Sequence, residues 1–121
     1  MVATMKRHAL TLTEFDQHLQ FSFCRSCEAH IALQSDFAGA DATYSKAIFL
    51  DAVNVVIDGP NRHHMEGTDK VADVHCTRCN TLLGSQYIEV ENSKGRVRAG
   101  RFGLFFNKLR FWNGSAPLAW Q

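Results

Sequence analysis

The chain has 121 residues, 45% of them hydrophobic and 21% charged, with a formal charge of +1. That length fits one domain, and that balance excludes an intrinsically disordered chain. Near-neutral charge gives no bulk attraction to nucleic acid or anionic lipid, and no stretch approaches the roughly 20 apolar residues of a membrane helix.

The N-terminus, Met-Val-Ala-Thr-Met-Lys-Arg-His, has no apolar run of signal-peptide length. An intracellular, non-secreted protein is therefore expected, in a compartment where thiols stay reduced. Residues 1–18 read as an arm. Leu19 to Phe23 alternates, with Leu19, Phe21 and Phe23 on one face, as a half-buried strand running into Cys24 does. Ile31 to Leu33 reads as another short strand. Ala47–Leu50 and Val53–Ile57 are β-branched and aromatic runs closed by Asp58-Gly59-Pro60. Glycine admits positive φ there, and proline cannot donate to the next ladder rung. Residues 58–69 read as one polar loop. Val71–His75 leads into the second cysteine pair, Tyr87–Glu91 alternates, residues 92–95 turn, and Arg101–Phe106 returns. From Lys108 to Gln121 the chain reads as an irregular, basic and aromatic tail. The expected fold is mainly β in a single domain over 19–107, with 108–121 outside it.

All four cysteines lie in two Cys-X-X-Cys pairs, Cys24-Arg-Ser-Cys27 and Cys76-Thr-Arg-Cys79. Two intervening residues let a tight turn aim both sulfurs at one ion, and the second pair completes a tetrahedron with Zn–S distances of about 2.3 Å. Residues 28–75 separate the pairs, more than a zinc ribbon allows, so one structural Zn2+ would join distant strand ends. Iron–sulfur ligation and dithiol redox chemistry are the competing readings, though neither pair is followed by the helical pattern of a redox motif. Arg25 and Arg78, inside the two pairs, either offset the negative thiolate centre or face solvent. With every cysteine used and the metal site closed, no nucleophile or open metal position remains, and no enzyme is expected. Asp51, Asp69 and Asp73 fit no Ser–His–Asp arrangement. Lys94, Arg96, Arg98 and Arg101 read as a solvated charged turn, so a nucleic-acid partner is not expected.

Beyond these local features, Phe23-Cys-Arg-Ser-Cys27-Glu-Ala-His30 followed by Asp36-Phe37-Ala-Gly39 resembles the opening of Yippee proteins. Ala47-Ile-Phe49 and Val53-Asn54-Val55 are similar to that family's core strands. Gly59-Pro60 and Gly67 fit its glycine-rich loop, Val71 to Gly84 its second cysteine pair, and Tyr87 and Gly100-Arg-Phe102 continue the match. The resemblance implies a β-tent, two antiparallel sheets pinned by one four-cysteine zinc site. The ligand-binding domain of cereblon and Mss4-like proteins share that architecture. It also implies a non-catalytic protein-interaction module in the nucleus or cytoplasm, acting as an adaptor or scaffold, with a ubiquitin-ligase assembly among its candidate partners. The alternative it carries is a small-molecule or modified-peptide reader of the cereblon type with an altered pocket. Ser85 stands where a groove tryptophan is usual, and Gly67-Thr-Asp-Lys70 replaces the usual Gly-Leu-His, so this is a divergent member. His63, His64, Asp69 and Ser85 are the candidate partner or ligand surface.

Overall fold

The computed structural model describes residues 12–91 and 95–114. Ten strands follow in order among them: β1 (Phe21–Cys24), β2 (His30–Leu33), β3 (Phe37–Asp41), β4 (Lys46–Phe49) and β5 (Val55–Ile57), then β6 (His64–Glu66), β7 (Asp69–Cys76), β8 (Leu82–Glu89), β9 (Phe102–Phe105) and β10 (Leu109–Trp112). Short 3-10 turns at Gln34–Asp36, Pro60–Arg62 and Phe106–Lys108 link some of them, and no helix among the described residues is long and apolar enough to cross a membrane.

The strands form two antiparallel sheets. The smaller runs β10-β1-β2, and the larger runs β3-β4-β9-β8-β7-β5 with β6 also paired to β7. Between the sheets lies the main core, in which Ile31 and Ala32 of the small sheet meet Ala47, Phe49, Val74, Leu83, Phe102 and Leu104 of the large one. Cys24 and Cys76 belong to the same cluster, so burial and the cysteine site share one centre. A second, smaller cluster of Ile48, Val71 and Tyr87, packed under Ala38, Val90 and Val97, covers the opposite face of the large sheet. Side chains alternate along a strand, so β4 sends Ala47 and Phe49 to one cluster and Ile48 to the other. All four of its residues are buried, Lys46 included.

Three expectations shift. First, β1 is buried at every residue rather than half-buried, and it starts at Phe21, leaving Leu19 exposed. Its outer face is covered by the arm: Phe15 packs on Phe21 with centroids 5.5 Å apart and stacks on His30 at 5.7 Å. The arm is tied at its backbone, where Thr13 N–H donates to Asn54 Oδ1 at 2.8 Å and Phe15 N–H donates to His30 Nδ1 at 2.8 Å. Secondly, residues 58–69 are not one loop, because β6 pairs with β7 through His64↔Val71 and Glu66↔Asp69. Thirdly, the segment expected as a tail from Lys108 carries β10, which pairs with β1 from Cys24↔Leu109 to Phe21↔Trp112. The Trp112 indole N–H donates to the Gln17 carbonyl at 2.7 Å, joining this strand to the arm. Residues 92–94, with Lys94, and Trp120 lie outside the described residues.

Candidate metal centre

Each Cys-X-X-Cys pair closes a turn between two strands. After β1, Glu28 N–H donates to Cys24 O at 2.8 Å and Cys24 N–H to Ala29 O at 2.8 Å; after β7, Asn80 N–H donates to Cys76 O and Cys76 N–H to Thr81 O, both at 2.8 Å. The residue after each second cysteine is left-handed, Glu28 at φ 67° and Asn80 at φ 64°. Asparagine adopts that conformation readily and glutamate seldom does. Two unrelated stretches of chain thus build the same local device.

Pairing then sets the two devices against each other. Cys24 Sγ lies 3.6 Å from Cys79 Sγ, and Cys27 Sγ lies 3.5 Å from Cys76 Sγ. All four sulfurs fall within 4.8 Å of one another. A zinc tetrahedron with bonds of about 2.3 Å has edges of about 3.8 Å, so the donor set fits that ion in number, softness and spacing. Cys24 and Cys76 are buried, Cys27 is half-buried and Cys79 exposed.

The thiols are unequal before metal arrives. Burial raises Cys24 above the ordinary 9.0 against the pull of backbone N–H groups. Burial pushes Cys27 up to about 12. At Cys79 a burial penalty is outweighed by the Thr81 hydroxyl, 3.0 Å from its sulfur, together with the Thr81 backbone and the neighbouring thiols, which bring it down to about 6. Cys79 is therefore the first ligand ready as thiolate. Arg25 and Arg78 both stand exposed.

The other candidate residues lie on the large sheet. His63 is half-buried, with Nε2 3.3 Å from the Asp58 carbonyl oxygen. His64 is exposed and its Nε2 lies 2.8 Å from Asp73 Oδ1. Asp69 opens β7 and accepts from Glu91 N–H at 3.3 Å. Ser85 is not at the surface: only 4% exposed, it is a hydrogen-bond partner of Lys46, whose Nζ lies 3.3 Å from the Ser85 hydroxyl. Residues 63, 64 and 69 gather on the β6–β7 edge, with Ser85 beneath.

Two residues that sequence reasoning passed over hold that edge in place. Lys46, wholly buried, donates to both carboxylate oxygens of Glu66, at 3.0 and 2.7 Å. Its ammonium also stands 5.2–5.9 Å from the ring centroids of Phe105, Tyr44 and Tyr87. The usable signal was a lysine two residues before Ile48 on the same strand face. Buried among these groups, the Tyr87 hydroxyl is pushed well above its ordinary range by burial and then by the carboxylates of Asp41, Glu66 and Asp69.

Residues 21–116 match a family model described as Yippee zinc-binding/DNA-binding/Mis18, centromere assembly. A yippee-like protein of Arabidopsis thaliana is 39% identical over 94 residues, covering 72% of this chain and 87% of that protein. Yippee-like 3 of Homo sapiens is 30% identical over 103 residues, covering 82% and 86%. Among solved structures, the Mis18 'Yippee-like' domain superposes with a TM-score of 0.68 at 16% identity, over 81% of this chain and 99% of that one, a likeness of fold.

Proposed function

The chain belongs to the Yippee family, and from that membership we propose a non-catalytic, zinc-stabilised interaction module that presents the β6–β7 edge to a protein partner. Cys24, Cys27, Cys76 and Cys79 hold the ion, and its role is structural. Four sulfurs fill a tetrahedral zinc, leaving no position for water or substrate, and the 121 residues contain no fifth cysteine to act as a nucleophile.

The observation that carries the reading is the support under the edge. A free polar loop would lose much conformational entropy on binding, whereas β6 is already paired to β7 and clasped from below by Lys46–Glu66. Met65, 58% exposed, and the exposed His64 alternate to the two faces of this edge strand, with Val56, 52% exposed, on β5 beside β7. An apolar anchor within a polar rim is the usual composition of a protein interface. The module acts as an adaptor or scaffold in an intracellular regulatory complex, nuclear or cytoplasmic, with a ubiquitin-ligase assembly as one candidate.

Two other readings have less support. A cereblon-type reader needs an open aromatic pocket, and at Ser85 that space is taken by the chain's own Lys46. The family description also names DNA binding, but here Arg98 donates to the Gly95 carbonyl and Arg101 to the Arg96 carbonyl, and the formal charge is only +1. Affinity capture from native extract, analysed by mass spectrometry, tests the proposal. Partners held by wild type should be lost from a His64→Ala/Met65→Asp variant that keeps its zinc and its melting temperature. Identical captures from both proteins would move the working surface elsewhere.

A further inference from the structure

A cavity of about 310 Å3 lies between the two sheets, lined by Ser22, Gln34, Phe37, Ala47, Phe49, Phe106, Leu109, Arg110 and Phe111. Its wall is apolar and aromatic. Ala47 and Phe49 are core residues at 3% and 2% exposure, while Phe37, Phe106 and Phe111 stand 40%, 50% and 39% exposed. Phe37 and Phe49 meet edge to face at 5.7 Å and 67°, leaving ring faces and edges for a further ring to join. The volume falls at the lower end of ligand sites, roughly 300–1,000 Å3.

One polar group on this wall is available to an occupant. Ser22 is 6% exposed, yet its hydroxyl makes no hydrogen bond to any other described residue. Cross-strand partners share a sheet face. Ser22 pairs with Phe111 on one side and with the core residue Ala32 on the other, which turns its side chain toward the large sheet. A hydroxyl with no partner in the fold can bond to water or to a molecule that enters this phenylalanine-lined space. Gln34, at the start of the 3-10 turn that follows β2, supplies the other polar group of the lining.

Charge restricts the occupant. The one ionisable residue in the lining is Arg110, which pairs with Phe23, one position out of phase with Phe111. That residue is already engaged in an interaction of its own and offers no free charge to an occupant. No charged head group would find a counter-ion inside. We propose that this cavity is a binding site for a small uncharged aromatic molecule with one hydrogen-bonding head group, the ring among the phenylalanines and the head group on Ser22 and Gln34. The site is separate from the β6–β7 edge, because Ala47 and Phe49 lie on the face of β4 opposite to Ile48 and the second cluster.

Titration of the zinc-loaded, 15N-labelled chain with 3-phenylpropan-1-ol, propylbenzene and 3-phenylpropionate tests this. Saturable shifts centred on Ser22, Gln34, Phe49 and Phe111 are expected, with the alcohol at least about tenfold tighter than the carboxylate, since a charge would be buried unpaired. Ser22→Ala should bring the alcohol down to the level of propylbenzene, and Phe111→Ala, at an exposed position, should weaken all three. No saturable shift, a carboxylate that binds as well as the alcohol, or an unchanged alcohol preference in a folded Ser22→Ala variant would each overturn the proposal.

Discussion

At the scale of single residues, the four thiols set how the protein takes up metal. Zinc binds thiolates, so each protonated ligand must release its proton on binding. Burial holds Cys24 above 9.0 and Cys27 near 12, whereas Cys79 sits near 6. At pH 7.5 Cys79 is already ionised, while Cys24 and Cys27 are not. Zinc titration in weak buffer at that pH should therefore release at least two and fewer than four protons per ion, measured by pH-stat or indicator dye. The sign follows: lowering the pH by one unit near neutrality adds at least two competing protons and weakens zinc binding about a hundredfold or more. Release of a full four protons would show that Thr81 does not lower its neighbour as described. His30 is a different case, since burial lowers it below 6.5 against the pull of Glu14, which keeps Nδ1 an acceptor for the Phe15 N–H at neutral pH.

At the scale of elements, the large sheet depends on close backbone approach where β8 crosses β9. Gly84 has φ +154°, and a Cβ there would lie 2.1 Å from the Gly103 carbonyl oxygen and 2.8 Å from Leu104 Cα. Backbone on both sides cannot yield as a side-chain tip would. Gly84→Ala should cost roughly 2–4 kcal/mol, read as a lower denaturation midpoint of the zinc-loaded protein. Gly59→Ala, with nothing within 4 Å, should stay within about 0.5 kcal/mol of wild type. Equal effects at both positions would remove the argument for backbone crowding. Strand existence was legible in these stretches because β-branched and aromatic residues alternate, as in Val71–His75 and Tyr87–Glu91. β6 and β10 were hidden: His-Met-Glu and Leu-Arg-Phe-Trp are short, and only the neighbours β7 and β1 make them strands.

At the scale of the whole molecule, the ion joins the two sheets at their cysteine turns. Cys24 and Cys27 belong to the small sheet's β1–β2 turn, Cys76 and Cys79 to the large sheet's β7–β8 turn. A domain of this size buries a modest core, and structural zinc contributes on the order of 10–16 kcal/mol in small zinc-finger peptides. Chelation, or Cys76→Ser, should abolish cooperative melting and leave an unfolded or aggregated chain by circular dichroism. A soluble Cys76→Ser protein that melts cooperatively would show that the core alone suffices.

The four-cysteine cluster, the mainly β class and the family were determined by the sequence alone, because Cys-X-X-Cys spacing and period-2 alternation are local properties that survive without neighbours. Only the tertiary structure decided the rest. It buried Ser85 beneath Lys46, turned the apparent 58–69 loop into a clasped edge, drew β10 and the arm onto β1, and left a phenylalanine-lined cavity with the Ser22 hydroxyl on its wall. Each of these depends on contacts between residues far apart in the chain, and such contacts leave no period in the sequence to read.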